Sequence, residues 1–220
     1  MIVAEIGQNF IGDMELAKHL IRLAYENGAD LAKFQLYNHQ RLYGGTDIAD
    51  VELSKEDAFE LFKFGEETGI EVFFSIFDLA RFKWCEKMGV RRYKIPSSQN
   101  QNMPLIEAVM ETEKETMISA RSWDEAGVTI NRKLLYCIPD YPVSPSSLKF
   151  SDINFTVLFD GYSDHTIGLQ ACMVAISMGA KIIEKHFAID HHTGVDALWS
   201  MTPDELRQLR NFYDRATKML

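Results

Sequence analysis

The chain has 220 residues, 46% of them hydrophobic and 25% charged. This is the make-up of one ordinary globular domain and argues against a disordered, collagen-like or disulfide-scaffold protein. A net charge of −9 argues against a general nucleic-acid binder, and three scattered cysteines without a CxxC pair argue against a zinc ribbon.

No apolar stretch reaches the roughly 18–20 residues of a membrane span, and no basic leader precedes the first apolar run, so a cytoplasmic location is expected. Residues 2–6 read as a short buried strand closed by Gly7, Gln8 and Asn9. Asp13 then caps a helix with Leu16, Leu20, Leu23 and Ala24 on one face. Residues 31–35 form a second strand, followed by a long polar loop over 36–52. Ser54 with Asp57 opens the next helix, whose apolar face includes Phe59, Leu61, Phe62 and Phe64. Strands three to six are expected at 71–76, 91–95, 116–119 and 134–138, with helices at 79–88 and 104–111, Pro104 suiting the first turn. A seventh strand at 157–162 leads to a helix at 167–178, an eighth at 181–187 to a final amphipathic helix at 203–220.

Eight strands, mostly followed by helices, imply parallel pairing with right-handed crossovers. In this length they match a compact (β/α)8 TIM barrel, with abbreviated fifth and sixth helical units at 122–127 and 144–150. The competing arrangement is an open doubly wound sheet, but the first turn, residues 7–12, lacks a GxGxxG fingerprint. With no linker or repeat, residues 1–220 are expected to be a single domain.

Barrel enzymes carry their catalytic groups at the C-terminal ends of the strands, and here each apolar strand ends in a polar cluster. Lys33 and Lys94, with Ser75, Ser97, Ser119 and Ser163 around them, can cradle a phosphate and a carboxylate. The alternatives for either lysine are a salt-bridged strand end or a Schiff-base nucleophile. His165 and His186 end neighbouring strands and can approach one divalent ion. His191 and His192 read as an exposed loop, and His19 and His39 as surface residues. Glu5 is a carboxylate inside an apolar strand, costly unless functional or neutralised by Lys33 or Lys94. Asp160 and Asp164 suit the capping of loop amides.

Several segments occur together and in order: Ala4-Glu5-Ile6-Gly7-Gln8-Asn9, Lys33-Phe34-Gln35, Tyr93-Lys94-Ile95-Pro96-Ser97, Tyr141-Pro142, Gly161-Tyr162-Ser163-Asp164-His165-Thr166-Ile167-Gly168 and Glu184-Lys185-His186-Phe187. Together they closely resemble the barrel domain of the sialic acid synthase family, which includes the pseudaminic and legionaminic acid synthases. The resemblance implies a transferase that condenses phosphoenolpyruvate (PEP) with the open-chain aldehyde of an N-acetylated hexosamine and releases phosphate. It implies that His165 and His186 hold a divalent ion, usually Mn²⁺, with Mg²⁺ or Co²⁺ as alternatives. It makes Lys33, Ser75, Lys94, Ser97, Ser119 and Ser163 the PEP cradle, Glu5 the catalytic carboxylate with Lys94 as a second catalytic residue, and Gln35, Tyr141 and Asp196 sugar-holding groups.

Departures from the family pattern bear on the acceptor. Gln99, expected to be a further sugar-binding group, stands where the family usually has a glutamate on the sugar, Pro139 replaces a small polar residue, and Asp140 adds a negative charge. The family's C-terminal antifreeze-like domain, which reaches across a dimer, has no counterpart before Leu220. A homodimer or a separate partner supplying that domain is therefore the expected association. The competing functions are a non-catalytic PEP or sugar-phosphate binding barrel and a Schiff-base lyase or aldolase using Lys94.

Overall fold

Side chains of a strand alternate between two faces, and in this chain that alternation separates a packed outer core from a chemically distinct interior. The computed structural model describes residues 1–44, 51–122 and 132–219. The strands are β1 Ile2–Gly7, β2 Leu31–Leu36, β3 Glu71–Ile76, β4 Arg92–Ile95, β5 Glu115–Ala120, β6 Arg132–Cys137, β7 Gly161–Asp164 and β8 Ile182–His186. Each pairs in parallel with the next, and β8 returns to β1, closing the expected barrel. The described helices are α1 Met14–Glu26, α2 His39–Tyr43, α3 Lys55–Thr68, α4 Leu79–Met88, α5 Met103–Met110, α6 Gln170–Ser177 and α7 Pro203–Ala216. No helix among the described residues is long and apolar enough to cross a membrane.

Residues such as Ile2, Ala4 and Ile6 of β1, Phe34 of β2 and Phe74 of β3 face outward into the main core beneath the helices. Val3, Leu31, Phe73, Met117, Leu135 and Ile182 form a second, separate cluster inside the barrel. That inner layer is a solid apolar plug across the lower half of the barrel, as expected of a barrel filled by layers of side chains. Below it Arg92 bridges Glu71 at 2.8 Å and Glu115 at 2.5 Å. The polar residues that line the cavity at the C-terminal mouth sit above it.

Local sequence accounts for most boundaries. Asp13 caps α1 through the amides of Glu15 and Leu16. Ser54 and Asp57 form a reciprocal capping box on α3, as do Thr202 and Glu205 on α7. The buried face of α3 is Ala58, Leu61 and Gly65, and Phe62 and Phe64 pack partly buried against the same core as expected; Phe59 lies outside that core, under Lys55 Nζ, and a glycine, Gly65, faces the sheet. The reason is proximity: a Cβ on Gly65 would lie 2.4 Å from Val72 Cγ2, so only small residues fit where the helix crosses β3.

The seventh strand is a larger correction. It begins at Gly161, and Val157 is 75% exposed. Asn154 Oδ1 accepts from the amides of Thr156 and Val157, and Leu158 and Phe159 N–H both donate to Asn154 O. The apolar run is therefore a helical turn that buries Phe155 and Phe159, four residues apart. The loop after β2 holds the short helix α2, capped by Asn38. Between β6 and β7 the chain makes two 3-10 turns, Pro145–Ser147 and Phe150–Asp152, and the helical turn that starts at Asn154, in keeping with an abbreviated sixth unit. Most of the fifth unit expected at 122–127 lies outside the described residues.

Gly161 marks a close approach between β7 and β8. A Cβ there would stand 2.0 Å from the backbone oxygen of Ile182, and rigid backbone cannot yield as a side chain can. Gly161→Ala is expected to cost about 3 kcal/mol or more, read as a lowered thermal midpoint and a loss of soluble yield.

Candidate active site

Above the apolar plug, the inward positions of the strands carry four buried charges in alternation. Lys33 Nζ lies 2.6 Å from Glu5 Oε2 and 3.4 Å from Glu184 Oε2. Lys94 Nζ lies 3.0 Å from Glu184 Oε1. The lysines also donate to serines, Lys33 to Ser75 Oγ at 2.6 Å and Lys94 to Ser119 Oγ at 2.8 Å. Ser163 Oγ donates to Glu184 Oε1 at 2.8 Å, and Gln35 Nε2 to Glu5 Oε1 at 2.8 Å. Strand register makes this floor: Glu5 pairs with Lys33, Gln35 with Ser75, Ser75 with Lys94, and Ser163 with Glu184.

Electrostatics follow from that arrangement. Burial alone would push Lys33 down, but Glu184 and Glu5 outweigh it and hold the ammonium above its ordinary pKa. Lys94 goes the other way, lowered by burial and by Lys33, with Glu184 opposing. Glu184 resists burial and is held well below the usual carboxylate range by Lys33 and Lys94. The floor is thus two cations and two carboxyl side chains in near balance.

His165 and His186 stand higher, with ring centroids 5.4 Å apart. His165 Nδ1 lies 3.1 Å from the carbonyl oxygen of Ile138, which can only accept, so Nδ1 carries the hydrogen and Nε2 keeps its lone pair. Burial, and then His186, lower the His165 pKa to about 3, so the ring is neutral. His186 Nδ1 lies 3.2 Å from Asp196 Oδ2. Burial lowers the His186 pKa, but Asp196 more than offsets it and the net direction is upward. No cluster of three or more His, Cys, Asp or Glu ligands occurs among the described residues. Two imidazoles, one with its lone pair free, still suit an ion that takes its other ligands from water or substrate.

These groups line one cavity of about 490 Å³. Glu5, Lys33, Gln35, Ser75, Lys94, Ser97, Ser119, Tyr141, Ser163, His165, His186 and Asp196 all border it. Tyr141, followed by a cis Tyr141–Pro142 peptide, places its ring 4.4 Å from that of His165. Gln99 does not border the cavity: it ends the 3-10 turn Ser97–Gln99, accepts from Asn102 Nδ2 at 2.9 Å, and faces a neighbouring hollow with Arg41 and Asp78. His19 is exposed, His39 is half-buried against Tyr43, and His191 contacts Glu205 at 3.3 Å.

Sequence reasoning left Glu184 out of the site, and also Cys137, Gln8 and Tyr43, which share the lining. The signal for Glu184 was its spacing, two residues from His186 on one strand and so on the same face. The intervening Lys185 points outward and binds Asp164 Oδ2 at 2.7 Å, with neither side chain exposed. Asp164 also accepts from Tyr162 OH, Thr166 N and Cys172 Sγ. Burial would raise its carboxyl, but Lys185 and these donors hold it below its ordinary value. Asp160 accepts from Leu134 N and pairs with Lys133. Asp164 thus binds a loop amide just past β7 from within a buried ion pair, as a capping residue would, whereas Asp160 binds an amide inside β6.

A closed barrel with a lysine–carboxylate floor and a histidine pair at its C-terminal mouth has the layout of a (β/α)8 enzyme. Within that class the chain belongs to the NeuB family, whose pattern matches residues 20–220. It is 32% identical to N,N'-diacetyllegionaminic acid synthase of Legionella pneumophila, over 94% of this chain and 69% of that protein. It is 30% identical to N-acetylneuraminate-9-phosphate synthase of Homo sapiens, over 94% of this chain and 67% of that protein. Its fold superposes with a TM-score of 0.92 on the crystal structure of the N-acetylneuraminic acid synthetase from Leptospira borgpetersenii in complex with citrate, at 29% identity, covering 99% of this chain and 84% of that one. The resemblance read from the motifs is borne out, and the chain is an enzyme of the sialic-acid-synthase type.

Proposed function

We propose that this barrel condenses PEP with the aldehyde of an N-acetylhexosamine-like sugar, giving a nonulosonic acid and phosphate in a reaction dependent on a divalent cation. The observation that supports the reading most is the stacking of two sites in one cavity, with paired buried lysines and serines below and paired imidazoles above. Lys33 and Lys94 would bind the phosphate and carboxylate of PEP, with Ser75 and Ser119 turned toward the same points. Glu184 holds both ammonium groups in place before the anion arrives.

The reaction joins the PEP methylene carbon to the aldehyde carbon, and water then adds to the carbon that bore the phosphate, which leaves as inorganic phosphate. Glu5, held by Lys33 and Gln35, would accept a proton from that water and stabilise positive charge developing on the carbon it attacks. Gln35, Tyr141 and Asp196 would orient the sugar at the rim. A divalent ion held by His165 and His186 would supply Lewis-acid polarisation of the aldehyde oxygen, and Mn²⁺ suits imidazole with oxygen donors.

The test is phosphate release from PEP with Mn²⁺ across a panel of aldoses, with His186→Ala as blank. Release with one sugar, abolished by a chelator and restored by Mn²⁺, is the expected result. PEP binding without product across the panel would favour the non-catalytic barrel. Borohydride trapping of a keto acid on Lys94 would favour the Schiff-base lyase.

A further inference from the structure

Asn9, two residues beyond β1, is 1% exposed, and its side-chain hydrogen bonds all reach the C-terminal part of the chain. Its Nδ2 donates to Phe187 O at 3.0 Å and to Ser200 Oγ at 2.9 Å, and its Oδ1 accepts from Asp196 N at 2.8 Å. Ser200 Oγ in turn donates to Asp196 O at 2.8 Å. The backbone N–H and C=O of a single rim residue are therefore both tied down, by two side chains that also bind each other.

The approach depends on Gly194. Its φ is +131°, and a Cβ there would come within 2.4 Å of Asn9 Oδ1. No larger residue leaves room for Asn9 beneath this loop.

What this arrangement fixes is a carboxylate. Asp196 Oδ2 lies 3.2 Å from His186 Nδ1, and a carboxylate at one ring nitrogen sets the orientation of the other. His165 takes its orientation from a backbone carbonyl, whereas His186 takes its own from a side chain on a loop. That loop needs an anchor.

We propose that Asn9 and Ser200 are positioning residues that hold Asp196 against His186 and so set the ring orientation with which His186 binds a divalent cation. The inference rests on the reading of His165 and His186 as holders of that cation. It gives Asp196 a task beyond contacting the sugar.

The experiment is calorimetric titration of the full chain with Mn²⁺ alone and, separately, with inorganic phosphate as a probe of the lysine floor. In Asn9→Ala and in Ser200→Ala the Mn²⁺ dissociation constant should rise about tenfold, with phosphate affinity unchanged. In an Asp196→Ala background, adding Asn9→Ala should produce no further weakening, because the clamp acts through Asp196. Ser200→Ala removes a single hydroxyl and carries the test if Asn9→Ala fails to fold. An unchanged Mn²⁺ affinity, additive effects of Asn9→Ala and Asp196→Ala, or a parallel loss of phosphate affinity would each overturn the clamp. Absence of Mn²⁺ binding by the unaltered protein would overturn the metal reading along with it, whereas binding that ignores Asn9 and Ser200 removes the clamp alone.

Discussion

Glu5→Gln is expected to lower the rate of phosphate release by about 10²–10⁴-fold, the range for removing a positioned acid–base group, while PEP still binds. The substitution keeps the shape of the side chain and an oxygen for Gln35 Nε2, which now donates to Glu5 Oε1. It removes the negative charge 2.6 Å from Lys33 Nζ and the capacity to take a proton from water. Lys33 retains Glu184 and Ser75 as partners, so the floor should persist. Steady-state kinetics separate the effects: a fall in kcat with little change in the KM for PEP places Glu5 in the chemical step. A large rise in KM with kcat preserved would instead make it a binding residue.

The largest effect on stability is expected at Glu184. Its carboxylate is the shared counter-charge of two fully buried ammonium groups, with oxygens 3.0 Å from Lys94 and 3.4 Å from Lys33. Glu184→Ala leaves Lys94 facing Lys33 without a carboxylate of its own, and breaking a buried ion pair on one side costs about 3–5 kcal/mol. For a chain of this length that lowers the thermal midpoint by roughly 6–20 °C. An anion offered from solution should take over part of the missing charge. Inorganic phosphate is therefore expected to raise the midpoint of the variant more than that of the parent, a comparison readable by differential scanning fluorimetry. Equal shifts would mean that the lysines are not the anion's partners.

Much of this architecture was legible in the sequence because it rests on local rules. Asp13, Ser54 and Pro203 announce helix starts, and the strands alternate with helices in an order that closes as a barrel. The mouth was legible for a related reason: β1, β2, β4, β7 and β8 change from apolar to polar at their C-terminal ends, which place Glu5, Lys33, Lys94, Ser163 and His186 on one cavity. The failures come from turns and pairings that residue type alone does not announce. Residues 157–162 have strand-like composition, but Asn154 captures the amides of Thr156 and Val157 and draws the first part of the segment into a helical turn, leaving only its Gly161 and Tyr162 in β7. Gln99 follows Ser97 by only two residues, yet a 3-10 turn carries it into the adjoining hollow. Glu184 and Lys185 look equivalent as letters in the sequence. Pairing with Lys33 and Lys94 on one face, and with Asp164 on the other, gives them opposite surroundings.

The apolar layer of Val3, Leu31, Phe73, Met117, Leu135 and Ile182 also imposes an order of events. It fills the barrel interior beneath the lysines, which leaves the C-terminal mouth as the way into the cavity. Whatever occupies the floor must enter before anything seated at the histidine rim, and must depart after it or through it. Read as kinetics, a cavity entered from this mouth predicts a compulsory sequence in which PEP is the leading substrate and phosphate release follows departure of the sugar acid. Inhibition by phosphate should then compete with PEP and not with the aldose.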